Sequence, residues 1–149
     1  MTIYLDLDGV LADLFGHTAK VLDVETYQHI DRKEFDQYFL DRDAEHLFAN
    51  LPVFPEANQI VEMIVDIFGE YKILSSPLNF DSLGSIRGKN TWLDRNINIQ
   101  PIERIFNHEK HHYATSGIGT QTVRNILVDD FRPNITAWKD AGGIGIKFQ

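Results

Sequence analysis

Thr2-Ile3-Tyr4-Leu5-Asp6-Leu7-Asp8-Gly9 begins as a β-prone apolar run and ends in two carboxylates and a glycine. Four later stretches share its make-up: Tyr71-Lys72-Ile73-Leu74, Glu103-Arg104-Ile105-Phe106, Asn125-Ile126-Leu127-Val128 and Ile144-Gly145-Ile146-Lys147-Phe148. Each is short, rich in Ile, Leu or Val, and bounded by polar or turn residues, as strands buried on both faces are. The segments between them have helical spacing. Ala57, Ile60, Val61, Ile64, Val65 and Phe68 recur at three and four, one apolar stripe that Gly69 ends. A second helix is predicted from about Ser85 to Asn96, around Trp92 and Leu93. A third starts at Pro133, carries Ile135, Trp138 and Ala141, and stops at Gly142-Gly143.

Strand and helix alternate, which predicts an α/β, Rossmann-like sheet of five parallel strands with helices on both faces. Residues 16–50 break the rhythm. They hold no convincing strand and many charged and aromatic residues, among them Tyr27, Phe35, Tyr38, Phe39 and Phe48. This stretch reads as a small helical cap inserted after the first strand, with Leu51-Pro52-Val53-Phe54-Pro55 as the return linker. At 149 residues the chain is expected to form one domain, 1–149, with the cap inside it. There are no cysteines, which excludes disulfides, thiolate metal sites and a thiol nucleophile. The formal charge of −8 disfavours a duplex nucleic acid as partner. No apolar run approaches the ~20 residues of a membrane helix. The start enters the strand pattern without a basic leader, so a cytoplasmic protein is expected. Nothing in the sequence fixes the oligomeric state.

Asp6 and Asp8 lie two apart at a strand end, so both can face the carboxyl edge of the sheet, where open α/β sheets place ligands. Two carboxylates this close do not both ionise easily without a cation beside them. Such a pair suits Mg²⁺ binding and a division into nucleophile and proton shuttle. A turn-capping role is the plain alternative. Three other strand ends favour the chemical reading. Leu74 runs into Ser75-Ser76-Pro77, Val128 into Asp129-Asp130, and Phe106 is followed at short range by Lys110, a cation suited to a phosphate.

Asp6-Leu7-Asp8-Gly9-Val10-Leu11-Ala12-Asp13 is similar to the first motif, DxDGxxxD, of the haloacid dehalogenase superfamily. Ile73-Leu74-Ser75-Ser76-Pro77 resembles its second motif and Ile126-Leu127-Val128-Asp129-Asp130 its fourth. Within the superfamily the chain most resembles the 5′(3′)-deoxyribonucleotidases and their phage and bacterial relatives. Asn50-Leu51-Pro52, Lys89 before Trp92-Leu93, and Asp129-Asp130-x-Arg132-x-Asn134 with Trp138 carry that likeness. The resemblance implies that Asp6 attacks phosphorus and that Asp8 serves as the proton donor and then the base. It implies Mg²⁺ held by Asp6, the Asp8 carbonyl and Asp129, with Asp130 auxiliary, and a phosphoryl group bound by Ser75 and Ser76. Lys110 is the preferred match to the family's lysine. Lys89 competes for that role or contacts phosphate, and a solvated surface lysine is the plain reading of either. The nineteen-residue gap from Lys110 to Asp129 makes 115–122 an added glycine-containing loop. The family's aromatic after the last motif-one Asp is replaced by Leu14, with Phe15 next.

The implied activity is Mg²⁺-dependent hydrolysis of a small phosphomonoester through an aspartyl phosphate, with a nucleoside monophosphate as the leading substrate. A sugar phosphate or a nucleic-acid 3′ end is the alternative within enzymes. A receiver-like module that holds the phosphoaspartate without turnover is the alternative outside them, although receivers carry their acidic pair before the phosphoacceptor. His108, His111 and His112 invite a transition-metal site, but exposed polarity explains them better. The cap aromatics are expected to pack rather than to present a platform to a ligand, and Arg132 either pairs with the acidic cluster or a phosphate or is solvated.

Overall fold

A computed structural model describes residues 1–149. Its main sheet has five strands, all parallel: β1 (Ile3–Leu5), β2 (Lys72–Ser75), β3 (Glu103–Phe106), β6 (Ile126–Asp129) and β7 (Ile144–Lys147), in the spatial order β3-β2-β1-β6-β7. β1 is central, and the chain leaves it first toward one edge and then toward the other. The strand-order reversal beside β1 puts its carboxyl end at the crevice typical of doubly wound sheets. The five strands sit where the sequence predicts them, to within a residue or two.

Alternation sorts the strand residues onto two faces. Ile3, Leu5, Ile73, Ile126 and Val128 join one core, and Tyr4, Leu74 and Leu127 the other. The first core is covered by α4 (Ala57–Phe68) through Ala57, Val61 and Ile64, and by α5 (Ser82–Asn96) through Trp92 and Leu93. The second is covered by α6 (Arg132–Asp140) through Ile135 and Trp138. Helices therefore lie on both faces. α5 starts three residues earlier than the apolar pattern suggests, because Asp81 caps it by accepting from the Gly84 N–H at 2.9 Å.

The insertion is helical: α1 (Leu14–Val21), a 3₁₀ turn (Tyr27–His29), α2 (Arg32–Leu40) and α3 (Ala44–Ala49). Asp13, Asp31 and Asp43 each cap the helix that follows. Asp13, the last acid of the first motif, thus works as a helix cap. Leu14, Tyr38, Phe39, Ala44, Leu47 and Phe48 share the larger core with the sheet, so the cap is packed onto the body. Gly88 explains how closely: a Cβ there would lie 2.5 Å from the Glu45 carbonyl and 2.9 Å from Phe48 Cβ. Only glycine lets α3 approach α5 at that point, and the Trp92 indole N–H closes the joint on the Leu51 carbonyl at 2.8 Å.

One expectation is corrected. Residues 115–122 are no loop: β4 (Thr115–Ile118) and β5 (Gln121–Arg124) form an antiparallel hairpin outside the main sheet. No helix is long and apolar enough to cross a membrane.

Candidate active site

The site is built at the carboxyl ends of β1, β2 and β6. β1 stops at Leu5, one residue before the first carboxylate, but the Asp6 N–H still donates to the Val128 carbonyl at 2.9 Å. Asp6 is therefore fixed by the sheet ladder itself. Beyond it the chain curls: the N–H groups of Leu11 and Ala12 both donate to the Leu7 carbonyl at 2.9 Å, and Gly9 takes φ +82°. A side chain at Gly9 would also strike the Asp130 carboxylate, 2.2 Å from the ideal Cβ position. The glycine of the first motif thus serves two needs, a left-handed turn and room for an acid from another strand.

Asp6 Oδ1 accepts from the Leu7 N–H at 2.8 Å and pairs with Lys110 Nζ at 2.9 Å, while Oδ2 has no protein partner. Asp129 ends β6 fully buried. Its Oδ2 accepts from Lys110 at 2.7 Å and from Asn134 at 2.9 Å, and its Oδ1 from the Phe131 N–H at 2.8 Å. Asp8 Oδ2 pairs with Lys89 Nζ at 2.8 Å, and its Oδ1 is buried without a partner. Lys89 also donates to Ser75 Oγ at 2.9 Å and to the Ser76 carbonyl at 2.6 Å.

Both lysines are at most 2% exposed, so neither is the solvated residue that a bland reading expects. Ser75 is buried behind the site, whereas Ser76 lines it. The cavity has a volume of about 460 Å³ and is walled by Asp6, Asp8, Lys89, Lys110 and Asp130 on one side. Phe15, Phe35, Phe39 and Phe48 face them from the cap. Phe35, Phe39 and Phe48 thus pack in or against the core and line the cavity as well. Tyr27 and Tyr38 lie outside the lining of this cavity, Tyr38 buried and Tyr27 half exposed against Phe15. Sequence reasoning weighed His108 only as part of a metal-site pattern and missed Phe131, and both stand at the cavity wall. It also gave Asn134 no task, although it stands one helical turn beyond the acidic pair, a spacing that places its amide on Asp129. His111 and His112 stack edge-to-face on each other and stay outside the cavity, and no histidine joins the acidic cluster.

Electrostatics in the cleft are strained by like charge. Burial pushes the Asp6 carboxyl up to about 6, with Asp129 and Asp8 adding repulsion and Lys110 opposing it. Asp130 is pushed up to about 7, first by burial and then by Asp6 and Asp129. Burial disfavours the Lys110 ammonium, but Asp6 and Asp129 outweigh it and its pKa is raised.

Carboxylate oxygens of Asp6, Asp129 and Asp130 lie within 4.8 Å of one another. Opposite ligands of an ion with ~2.1 Å bonds would stand ~4.2 Å apart, so little adjustment is needed for these side chains to share one. The donors are all hard oxygens, which suits Mg²⁺-like cations rather than zinc or copper. Charge agrees: with all four carboxylates ionised, two ammonium groups leave a deficit of two positive charges that a divalent cation would fill. The residues fit a divalent cation.

A prediction follows for the metal-free protein. Asp6 and Asp130 hold their protons to higher pH when folded than when unfolded, so their contribution is favourable below about pH 4 and is lost as pH rises to about 7. Asp130→Asn should raise stability at pH 8 by about 1–2 kcal/mol, a figure reduced from the full shift because the side chain is partly solvated. The gain should vanish near pH 4. Urea denaturation in chelator at both pH values checks this, and an unchanged or lower stability at pH 8 would contradict it.

No family model matches the chain, and no curated protein matches it. Solved structures do. A hydrolase from Streptococcus pneumoniae TIGR4 is 15% identical with a TM-score of 0.53, covering 99% of this chain and 92% of that one. A dehalogenase solved with an intermediate complex is 11% identical with a TM-score of 0.54, covering 99% and 84%. A haloacid dehalogenase-like hydrolase from Streptococcus pneumoniae is 13% identical with a TM-score of 0.50, again covering 99% and 84%. At these identities the likeness is one of fold: the chain shares the α/β architecture of these solved structures over nearly its whole length.

Proposed function

We propose that the protein is a Mg²⁺-dependent phosphomonoesterase that works through an aspartyl phosphate on Asp6. The observation that carries this reading is the cluster Asp6-Asp129-Asp130, in which Lys110 bridges Asp6 and Asp129, with Asp8 beside it at the same sheet edge.

In the first half-reaction an Asp6 oxygen bonds to phosphorus as the bond to the leaving oxygen breaks, and a proton on Asp8 passes to that oxygen. In the second, a water oxygen attacks phosphorus and the Asp6–phosphorus bond breaks. The water's proton returns to Asp8, and inorganic phosphate leaves. Lys110 anchors the nucleophile and offers positive charge to the phosphoryl oxygens. Ser76 lines the cavity where those oxygens would sit. Asp6, Asp129 and Asp130 would hold Mg²⁺, with the Asp8 carbonyl as the family resemblance suggests, and the ion would neutralise charge on the transferring phosphoryl group.

Beyond the phosphate the cavity is aromatic, with Phe15 and Phe35 stacked at 6.4 Å between centroids and 13° between planes. Together with the family resemblance this favours a nucleoside monophosphate over a sugar phosphate, and the acid excess of the chain disfavours a nucleic-acid 3′ end. The cap, packed on the body, would screen the intermediate from bulk water. Phosphate release measured over nucleoside monophosphates, sugar phosphates and aryl phosphates with Mg²⁺ tests the reading. Nucleoside monophosphates should be preferred. Phe35→Ala should raise KM for them roughly 10-fold, the scale of one lost stacking contact, and leave glycerol phosphate unaffected. Equal change for both would argue against an aromatic subsite, and a single burst of phosphate without turnover would favour the receiver-like module.

A further inference from the structure

We infer that Lys89 is a positioning residue that aims Asp8, and that the phosphoryl group is met by Lys110 alone of the two buried lysines. This rests on the phosphomonoesterase reading above and divides labour within that site. An ammonium group has three N–H bonds. Lys89 Nζ donates to Ser75 Oγ and the Ser76 carbonyl and stands 2.8 Å from Asp8 Oδ2 as an ion pair. The Phe48 ring stands 5.0 Å from the same nitrogen and closes another side. Three oxygens and a ring thus enclose the Lys89 ammonium and leave little room at Nζ for a substrate oxygen. Lys110 Nζ has one oxygen neighbour fewer: it donates to Asp129 Oδ2 and pairs with Asp6 Oδ1, the carboxylate that would attack phosphorus.

What Lys89 holds matters chemically. It fixes Asp8 Oδ2, leaving Oδ1 as the oxygen without a protein partner. Lys89 stands on α5 immediately after Gly88, where α3 and α5 touch, so the packing of the cap on the body sets the position of the ammonium. It also ties the end of β2 to the turn after β1 through one buried cation, which fixes Ser76 and Asp8 relative to each other.

Leaving-group dependence separates the two roles. An aryl phosphate with an acidic phenol needs little protonation to depart, whereas an alkyl phosphate needs much. In Lys89→Met, kcat/KM for an alkyl phosphate should fall about 100-fold and that for p-nitrophenyl phosphate less than about 10-fold. Inhibition by inorganic phosphate should stay within about 2-fold of wild type. Lys110→Met should instead weaken phosphate inhibition at least about 10-fold. Equal losses on both esters, or weakened phosphate inhibition in Lys89→Met, would overturn the assignment.

A crystal structure of the wild-type protein with orthovanadate supplies the same decision if the Met variant does not fold. Lys89 should remain on Ser75, Ser76 and Asp8 with Lys110 on the oxyanion, and Lys89 on the oxyanion would refute the inference. Turnover of p-nitrophenyl phosphate by the wild type is measured first. Its absence would count against the phosphatase reading itself, separately from the role of Lys89.

Discussion

Asp6→Asn should lower phosphomonoester turnover by on the order of 10⁴-fold or more, as loss of a nucleophile commonly does. The expectation comes from one atom. Asp6 Oδ1 is committed to the Leu7 N–H and to Lys110, and Oδ2 is the oxygen without a protein partner. An amide at this position still offers an oxygen to Leu7 and Lys110, so the local structure survives, but its nitrogen cannot attack phosphorus. The fold should not suffer either. The substitution removes a carboxylate whose burial and acidic neighbours disfavour its charge, and the Asp6 backbone stays in the ladder with Val128. Circular dichroism unchanged beside a collapsed rate is the expected pair of results. A folded Asp6→Asn protein that keeps wild-type rates would remove Asp6 from the chemistry.

Chelation should have the second largest effect. EDTA is expected to bring hydrolysis to background and added Mg²⁺ to restore it. The argument is electrostatic: three acids crowd within 4.8 Å, two of them with pKa values pushed up to about 6 and about 7. At neutral pH that crowding is relieved either by protons or by a cation, and a phosphate dianion entering beside ionised carboxylates needs the cation. Lys110 alone is insufficient, since its charge is already shared between Asp6 and Asp129. Mg²⁺ should also raise the melting temperature, by occupying ligands that exist together only in the folded state. Undiminished hydrolysis in excess chelator would contradict the metal role.

The sheet was legible because its signal is local. Ile73-Leu74 and Ile126-Leu127-Val128 are buried on both faces, so an unbroken apolar run flanked by polar residues announces them. Asp6, Asp8 and Asp129 could be named for a related reason: each sits at or just beyond a strand end, and parallel strands bring such ends to one edge. The hairpin at 115–124 was not legible. β4 and β5 are almost wholly exposed, Ile118 at 94%, so no alternation of buried and exposed side chains marks them. Their pairing is carried by backbone hydrogen bonds and by a turn with Gly119 at φ +68°.

The lysines show where local reading ends. Lys89 and Lys110 look alike in sequence, and both are buried among acids. Their difference lies in Ser75, Ser76 and Asp8 on one side and Asp6 and Asp129 on the other. Those partners lie at strand ends 13 to 81 residues away from Lys89 and 19 to 104 from Lys110, counted from the residue numbers. The cap aromatics teach the same lesson. Phe39 is a core residue and a cavity wall at once, a double use that only the docking of the insertion on the sheet edge creates.

The most direct test of the central claim is chemical trapping of the intermediate. Wild-type protein turning over a phosphomonoester with Mg²⁺ is quenched in acid, treated with borohydride, digested and read by mass spectrometry. An acyl phosphate is reduced under these conditions, so the account predicts homoserine at position 6 and nowhere else, absent when substrate is omitted. Reduction at another carboxylate, or none in a protein that is hydrolysing substrate, would show that the phosphoryl group does not pass through Asp6.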